Sequence, residues 1–328
     1  MPRLDIAIEA WPIEGQFKIS RGAKTQADVI VAQVTDGLTS GRGECVPYGR
    51  YGESIEGVAD SLEDMADAVS QGLTRTELQT AMPPGAARNA LDCAFWDLEA
   101  KKAGKPVWTL ADLPAPGPVE TAFTISLDSP EAMATKAKAA AGRQLLKLKL
   151  GDAGDEDRVA AVRDAAPDAT LIVDANEAWT LQTLKDLGPA MARLGVKLIE
   201  QPLPSGHDAG LAQIDCPVPI CADESFHDRE SLSALRERYQ AVNLKLDKTG
   251  GLTEAILAME EIRRSGMALF VGCMVGTSLA MAPAYLLAGA AEFVDLDGPL
   301  LLARDREPGL AYDGSILRPG PAGLWGGL

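Results

Sequence analysis

The chain of 328 residues is poor in histidine, cysteine and long apolar runs. It has two histidines, His207 and His227, so acid–base chemistry is expected to rest on other groups. Its five cysteines are scattered without a CxxC pair, which disfavours a disulfide framework or structural zinc and is typical of reduced thiols. No stretch reaches the ~18 apolar residues of a membrane span, and the N-terminus has no apolar signal region. A cytoplasmic location is therefore expected.

Positive charge is also scarce. Lysine and arginine number 31 against 47 aspartates and glutamates, giving a formal charge of −16. This charge argues against nucleic acid or an anionic membrane as a partner and is compatible with binding a divalent metal. Apolar residues at 46% and charged residues at 24% are values of a globular protein. Whether the chain forms a homo-oligomer stays open.

The first third of the chain has the pattern of an α+β unit. Residues 28–34, DVIVAQV, predict a strand, and the turn at Asp36 followed by GRGECVPYG predicts an antiparallel hairpin. Helical apolar spacing occurs at 55–70 and 86–103. The proline-rich stretch DLPAPGPVE indicates a boundary, so a first domain is expected over 1–113.

Short apolar strands then alternate with amphipathic helical patterns. Eight strands are predicted, at 122–127, 145–150, 170–175, 196–201, 219–224, 241–246, 268–274 and 292–297. This alternation predicts a parallel (β/α) barrel over 114–304. The segment is short for eight full units, so the last helix is expected to be missing or replaced. Residues 305–328 have no clear helix and are expected to return to the first domain.

The second predicted barrel strand, LLKLKLG, contains two lysines in an otherwise apolar run. Successive side chains on a strand point to opposite faces, so Lys147 and Lys149 project to the same side. A solvated edge strand would show the same pattern. The other strands favour a different interpretation, because they also end in charged residues and the C-terminal strand ends carry the active site of such barrels.

Three carboxylates end consecutive predicted strands: Asp174 in VDAN, Glu200 in IEQP and Asp223 in ADES. Oxygen donors on rigid strand ends suit Mg²⁺, which prefers hard ligands and short bonds. Each carboxylate alone would fit equally well as a helix cap or as the partner of a lysine. The register of all three favours a metal site.

Two lysines complete an acid–base pattern. Lys149 and Lys245 lie on strands two and six, which face each other across an eight-stranded barrel. The neighbouring charge of Lys147 is expected to lower an ammonium pKa, which makes a lysine a usable base. Amines on opposite walls can reach opposite faces of one carbon. This arrangement suits removal and return of a proton α to a carboxylate, with a metal stabilising the enediolate.

Six motifs in order, KLK, VDAN, IEQP, ADES, NLKLDKTGG and DLDGP, resemble the enolase superfamily and its muconate-lactonizing subgroup. Within it, ISRG, GECVPYGRYGES and the late DLD resemble the dipeptide epimerases. The resemblance implies a (β/α)₇β TIM-like barrel with an N-terminal α+β capping domain completed by the C-terminal tail. It also implies Mg²⁺-dependent epimerisation of a dipeptide, with L-Ala-D/L-Glu as the expected substrate and cell-wall peptide recycling as the context.

The resemblance extends to individual positions. It implies that the magnesium ligands are Asp174, Glu200 and Asp223. It also implies that Lys149 and Lys245 form the acid–base pair and that Lys147 assists at the substrate carboxylate. It implies further substrate contacts at Asp295 and Asp297 for the ammonium, Arg21 for the glutamate side chain, Thr124 for a hydrogen bond, and Cys273 and Val275 as pocket lining. A solvated loop is the alternative for the arginine. A threonine in a strand more often serves only packing, and core packing is the favoured interpretation of the cysteine and the valine.

Other functions share much of this pattern. Cycloisomerases and o-succinylbenzoate synthases of the subgroup use the same lysines and metal ligands but bind no ammonium, so the DLD motif counts against them. N-acylamino acid racemases are a further alternative. A non-catalytic barrel that binds metal or a peptide would tolerate replacement of Lys149 and Lys245. A phosphate site is disfavoured, because no glycine-rich loop with basic partners follows the last strands.

Overall fold

The computed structural model describes residues 1–151, 154–319 and 323–327. The chain begins with a three-stranded antiparallel sheet in the order β1-β2-β3, followed by a short 3-10 helix and five α-helices. These are β1 Arg3–Ile19, β2 Gly22–Asp36, β3 Thr39–Cys45, the 3-10 helix Gly49–Tyr51, α1 Ile55–Glu63, α2 Ala66–Ser70, α3 Arg75–Ala81, α4 Ala86–Ala103 and α5 Val107–Leu110.

The predicted hairpin is confirmed, with Asp36 paired to Thr39 across the turn. Helix α4 has the predicted bounds and lies against β3. Two glycines of β3 permit this close approach, because a Cβ on Gly41 or Gly43 would lie 2.2 Å from backbone atoms of α4. The three-stranded sheet therefore packs directly against the backbone of α4.

The structure differs from the predicted elements of the first third of the chain in two respects. The helix predicted over 55–70 is two helices, α1 and α2. Between them the amide of Met65 donates to the carbonyl of Leu62 at 3.1 Å, an i→i−3 bond in place of the helical i→i−4 bond. Strand β1 and helix α3 were not predicted. Most side chains of β1 are exposed or half-buried, so its sequence lacks the apolar alternation of a strand with one buried face.

All eight predicted barrel strands are present and form one parallel sheet in the order β12-β11-β10-β9-β8-β7-β6-β5. After β4 Val119–Glu120, the units are β5 Phe123–Ile125, α6 Pro130–Ala139, β6 Leu145–Lys149, α7 Asp155–Ala165, β7 Thr170–Asp174, α8 Leu181–Arg193, β8 Val196–Glu200, the 3-10 helix Ala209–Gln213, β9 Ile220–Ala222, α9 Arg229–Leu235, β10 Ala241–Leu244, α10 Leu246–Thr249, α11 Leu252–Ser265, β11 Ala268–Gly272, α12 Ser278–Ala288, β12 Phe293–Asp295 and α13 Gly298–Leu301. The last helix is reduced to four residues, as expected from the length.

The barrel interior is built in layers because strand side chains alternate between its two faces. One layer is apolar and takes one residue from each strand or its start: Ala122, Leu145, Ile172, Leu198, Cys221, Ala241, Phe270 and Phe293. The leucines that alternate with the lysines of β6 point outward, into the core between sheet and helices. The polar residues of the site form the next layer, directly above this apolar one.

The C-terminal segment pairs with the start of the barrel and then reaches the capping domain. Strands β13 Ala311–Asp313 and β14 Ile316–Arg318 form a sheet with β4. The indole of Trp325 donates a hydrogen bond of 3.0 Å to the carbonyl of Cys93 on α4, and the amide of Gly326 donates to Asp97 at 2.8 Å. The tail therefore completes the capping domain. Within the described ranges, no helix combines the length and apolar character needed to cross a bilayer.

Candidate active site

The next interior layer, two residues further along each strand, is polar. It contains Thr124, Lys147, Asp174, Glu200, Asp223, Asn243, Gly272 and Asp295. Two residues beyond this layer stand Lys149, at the end of β6, and Lys245 and Asp297, just after β10 and β12. Most of the residues predicted from the strand ends are thus brought together at the C-terminal end of the barrel. The solvated-edge interpretation of the lysine strand is wrong, since Lys147 is 1% exposed.

Asp174, Glu200 and Asp223 each offer a carboxylate oxygen within 4.8 Å of the other two. All three side chains are buried. Three buried carboxylate oxygens at this spacing form a donor set that fits a hard divalent cation. The amide of Asn243 donates to Glu200 at 2.7 Å and fixes its orientation.

Each predicted lysine contacts this carboxylate group. The ammonium of Lys149 lies 2.6 Å from Asp174, and that of Lys245 lies 2.6 Å from Asp223. The ammonium of Lys147 lies 2.7 Å from Glu200 and 2.8 Å from Asp295. Because β6 and β10 are four strands apart in the order of eight, Lys149 and Lys245 approach from opposite walls.

The charges of the site change the expected basicity of the lysines. Burial alone would lower the pKa of Lys245, but the carboxylates of Asp223 and Glu200 raise it above its ordinary value. The pKa of Lys147 is raised in the same way, chiefly by Asp295 and Glu200 against the effect of burial. At these two lysines the pKa is therefore raised rather than lowered. Nearby carboxylates outweigh the repulsion between ammonium groups.

Two charged residues of the site were missed, although both lie inside the quoted motifs. Lys248, in NLKLDKTGG, is buried and donates to a carboxylate oxygen of Asp223 at 2.7 Å. Glu224, in ADES, is 2% exposed. Burial and the neighbouring Asp223 and Asp174 raise the pKa of Glu224 to about 7. For Glu224 the available signal was a charged residue directly after a predicted metal ligand at the end of a buried strand.

The loops after the metal ligands are held by side-chain hydrogen bonds. Gln201 follows Glu200 with a left-handed backbone, φ 33°. Its amide oxygen accepts hydrogen bonds of 2.9 Å from the backbone of Asp223 and 3.0 Å from that of Ser225. The strand ends that carry two of the carboxylates are therefore tied to each other. Hydrogen bonds of this kind, one step outside the carboxylates, hold metal ligands in a fixed orientation.

A second pair of carboxylates stands on β12 and just after it. Asp295 contacts Lys147 through one oxygen, while its other oxygen, Oδ1, is buried and has no hydrogen-bond partner among the described residues. Asp297 accepts a hydrogen bond of 2.6 Å from the backbone amide of Thr124. Burial and the nearby Asp295 raise the pKa of Asp297 to about 7. An unpartnered buried oxygen beside a second carboxylate suits a cationic group.

A cavity of about 490 Å³ opens above these residues, between the barrel and the capping domain. Its wall includes Thr124, Lys245, Cys273, Val275, Asp295 and Asp297 from the barrel and Arg21 from the capping domain. The buried triad lies beneath it. All the predicted substrate contacts other than Lys147 therefore line one cavity.

The capping domain reaches the barrel mouth through the β1–β2 hairpin. The guanidinium of Arg21 donates to Glu224 at 2.6 Å, to the carbonyl of Asn176 at 2.7 Å and to the hydroxyl of Tyr48 at 2.8 Å. A fourth hydrogen bond, of 3.0 Å, goes to Glu177 in the loop after β7. Arg21 thus joins the hairpin to two barrel loops.

The chain belongs to the enolase superfamily. Residues 3–111 match the mandelate racemase / muconate lactonizing enzyme N-terminal domain, and residues 131–307 match the enolase C-terminal domain-like family. Together these matches span the capping sheet and nearly the whole barrel.

Two characterised relatives are similar over most of their length. L-Ala-D/L-Glu epimerase of Escherichia coli K12 is 47% identical over 306 residues, covering 93% of this chain and 95% of the relative. N-acetyl-D-glutamate racemase of a Pseudoalteromonas species is 43% identical over 301 residues, covering 91% and 95%. Both relatives are isomerases whose names place glutamate in the substrate.

Solved structures agree with this fold. An enolase family member from Agrobacterium tumefaciens with homology to dipeptide epimerases, containing sodium and L-Ala-L-Glu, is 55% identical with a TM-score of 0.97 over 99% of this chain and 100% of that one. Structures of dipeptide epimerases from more distant species, 26–29% identical, contain Mg and a dipeptide. The predicted fold class is confirmed.

Proposed function

We propose that the protein epimerises dipeptides and interconverts L-Ala-L-Glu and L-Ala-D-Glu. The observation that carries this proposal is the pair of buried amines, Lys149 and Lys245, on opposite walls of a barrel with a carboxylate triad between them. A base on each side of one α-carbon is what inversion of that carbon requires. The identity of 47% with the E. coli epimerase supports the same reaction.

Asp174, Glu200 and Asp223 are the proposed ligands of a Mg²⁺ ion, for which their donor set fits. When bound, such an ion supplies positive charge that offsets the negative charge developing on the substrate carboxylate as the α-proton leaves. Lys147, which is buried between Glu200 and Asp295, would hold the same carboxylate from the protein side. The carboxylates around Lys147 outweigh its burial and raise its pKa, which favours the charged form.

In the proposed reaction one lysine removes the α-proton and the other returns a proton to the opposite face. The amine of Lys149 lies 2.6 Å from a carboxylate oxygen of Asp174, and that of Lys245 lies 2.6 Å from one of Asp223. Ligation of these carboxylates to a cation would remove charge that raises the pKa of Lys245, and so bring this amine closer to a usable base.

The dipeptide ammonium is proposed to bind Asp295 and Asp297. The unpartnered Oδ1 of Asp295 and the position of both carboxylates on the cavity wall support this assignment. Thr124 would keep Asp297 oriented through its backbone amide, and Cys273 and Val275 would bound the cavity beside them. Arg21 remains the predicted contact of the glutamate side chain.

The direct test is incubation of L-Ala-L-Glu and L-Ala-D-Glu in D₂O with Mg²⁺, read by mass for α-deuterium and by chiral separation for the second isomer. We expect deuterium in the glutamate residue of both isomers. Absence of exchange from every dipeptide of a library would contradict the proposed function.

Racemisation of N-acetylglutamate is a second candidate, favoured by the 43% identity with the Pseudoalteromonas racemase. An acetylated substrate has no ammonium for Asp295 and Asp297. Comparing free L-Ala-L-Glu with its N-acetyl derivative and with N-acetylglutamate separates the two functions. Equal or higher rates on the acetylated compounds would favour the racemase.

The cellular setting we propose is cytoplasmic recycling of cell-wall peptides. The five unpaired cysteines are consistent with a reducing compartment. In this proposal the capping domain 1–113 selects the substrate, the barrel 114–304 carries the chemistry, and the tail 305–328 fastens the two.

A further inference from the structure

The backbones of the two proposed acid–base lysines are held by different parts of the molecule. Lys149 is the last residue of β6, and the ladder between β6 and β7 pairs it with Asp174. Lys245 is the first residue after β10, lies outside the ladders of that strand, and is the N-cap of the four-residue helix α10. Its carbonyl accepts hydrogen bonds of 3.1 Å from the amides of Lys248 and Thr249. The backbone position of Lys245 therefore depends on α10.

Helix α10 is held at its C-terminal end by an arginine of the capping domain. Arg88 on α4 is 5% exposed, and its guanidinium donates hydrogen bonds to the carbonyls of Thr249 at 2.7 Å and Gly250 at 3.1 Å. The last carbonyls of a helix have no partner within the helix, and a basic side chain can satisfy them. The same guanidinium donates to the carbonyls of Gln79 at 3.1 Å and Met82 at 3.2 Å, at the end of α3. Arg88 therefore joins the ends of two helices, one from each domain.

A second residue of α4 contacts the same short helix. The side-chain amide of Asn89 donates to Asp247 at 2.8 Å, and Asp247 also accepts a hydrogen bond of 3.0 Å from the backbone amide of Val46. The chain after α10 approaches α4 so closely that a Cβ on Gly250 would lie 2.5 Å from Nε of Arg88. Helix α10 is thus attached to the capping domain by side chains at its middle and at its end.

Lys149 has no such support, since among the described residues no side chain of α4 makes a hydrogen bond to β6. We propose that Arg88 is a positioning residue for Lys245, and that α4 acts through α10 to set the placement of this lysine but not that of Lys149. The inference rests on the proposed function and deepens it, because it assigns a residue of the capping domain to one of the two proton transfers. A displacement of about 1 Å in a reacting group can cost about a hundredfold in rate.

The test measures initial rates of deuterium incorporation at the glutamate α-carbon in D₂O with Mg²⁺, separately from L-Ala-L-Glu and from L-Ala-D-Glu. Lys245→Ala identifies the isomer whose proton Lys245 removes. For Arg88→Met we expect the rate of that isomer to fall about tenfold or more and the rate of the other to change less than about twofold, because a misplaced base slows the step that it performs. Arg88→Lys keeps the charge but not the planar set of donors, so it should show the same asymmetry with a smaller loss.

Lys102→Met is the matched control. Lys102 is a cation on the same helix, but it is exposed and pairs with Asp36 at the β2–β3 turn. We expect it to change the rate of neither isomer. If Arg88→Met does not fold, as judged by circular dichroism, Asn89→Ala carries the same comparison, because Asn89 holds α10 through Asp247. Equal losses on both isomers, or no loss on either, would overturn the proposal.

Amide hydrogen exchange, read by mass spectrometry, keeps this test separate from the proposed function. If the wild type exchanges no dipeptide α-proton, or if Lys245→Ala slows both isomers equally, the two-base reaction is wrong, and amide exchange over residues 245–251 then decides the role of Arg88. In Arg88→Met we expect these amides to exchange about tenfold faster than in the wild type, with residues 145–149 of β6 unchanged. Equal exchange over 245–251 in the two proteins, or equal acceleration of both segments, would overturn the positioning role.

Discussion

The barrel mouth and the hairpin that covers it meet at one cavity but are built in different ways. At the barrel mouth, the lysines and carboxylates of the site lie at or just after the ends of parallel strands, and each is less than 9% exposed. On the hairpin, the side chain of Arg21 is 26% exposed and Lys24 is exposed, and each reaches the site from a long two-stranded ribbon. The comparison indicates that reaction chemistry depends on the rigid, buried set, whereas choice of substrate depends on the exposed set.

The largest expected effect is the loss of a lysine from the barrel. Lys245→Ala should lower epimerisation at least about a thousandfold, because a positioned acid–base group contributes that order of rate and its partner on the opposite wall cannot replace it. Exchange of the α-proton in D₂O, followed separately for each isomer, is the measurement. We expect one isomer to retain more exchange than the other.

Lys197→Ala is the matched control, since Lys197 lies on strand β8 of the same barrel but is exposed on its outer face. It should leave both rates unchanged. If Lys245→Ala epimerised both isomers at the wild-type rate, the two-base reaction would be wrong, and the buried set would lose its assigned role.

Removal of the metal is expected to act next most strongly. Chelation followed by gel filtration should abolish turnover and Mg²⁺ should restore it, because Asp174, Glu200 and Asp223 are proposed to hold the ion. Mg²⁺ at about 100 times its Kd should also raise the free energy of unfolding of the wild type by about 2.7 kcal/mol, measured in urea. Asp223→Asn should lose most of this stabilisation.

The matched control is Asp215→Asn, which changes an exposed aspartate just before β9. It should respond to Mg²⁺ as the wild type does. Full turnover after exhaustive chelation, or an unchanged response in Asp223→Asn, would show that the triad does not hold the ion.

The smallest expected effect concerns the contact that closes the hairpin. Glu177 accepts hydrogen bonds from Arg21, from Arg50 and, at 2.7 Å, from the backbone of Ser205. Glu177→Gln should raise KM about three- to tenfold for L-Ala-L-Glu and L-Ala-L-Met alike with little change in kcat, because partly exposed ion pairs contribute on the order of 1 kcal/mol. Steady-state kinetics on both dipeptides is the measurement.

Glu156→Gln removes a surface ion pair with Arg193 far from the cavity and should change neither KM. A selective loss on the Glu dipeptide in Glu177→Gln would mean that the hairpin contact itself reads the side chain.

Strand pattern predicted the barrel better than the capping domain. Each barrel strand is short, apolar and bounded by a helical pattern, and all eight were confirmed. Strand β1 has 17 residues but few buried side chains, so alternation could not reveal it. The break between α1 and α2 is marked by a backbone hydrogen bond from Met65 to Leu62, and no side-chain pattern predicted it.

The same contrast holds within the site. Lys147, Asp174 and Glu200 could be found because strand ends of a barrel converge by construction. Lys248 could not, because it lies on the short helix after β10 and reaches Asp223 only when that helix has formed. The direction of the lysine pKa values was also not predictable, since it depends on which carboxylates lie within about 3 Å of each amine.

By itself, the sequence determined which chemical groups line the barrel and in what order, because a strand alternates its side chains with a period of two and a parallel barrel aligns its strand ends. The tertiary structure alone decided the partner of each charge. Arg21 meets Asn176 and Glu224, which are 155 and 203 residues away in the chain, while Lys24 meets no carboxylate within ion-pair distance among the described residues. Their pairing depends on Coulomb interactions over a few ångströms, and only the folded chain sets those distances.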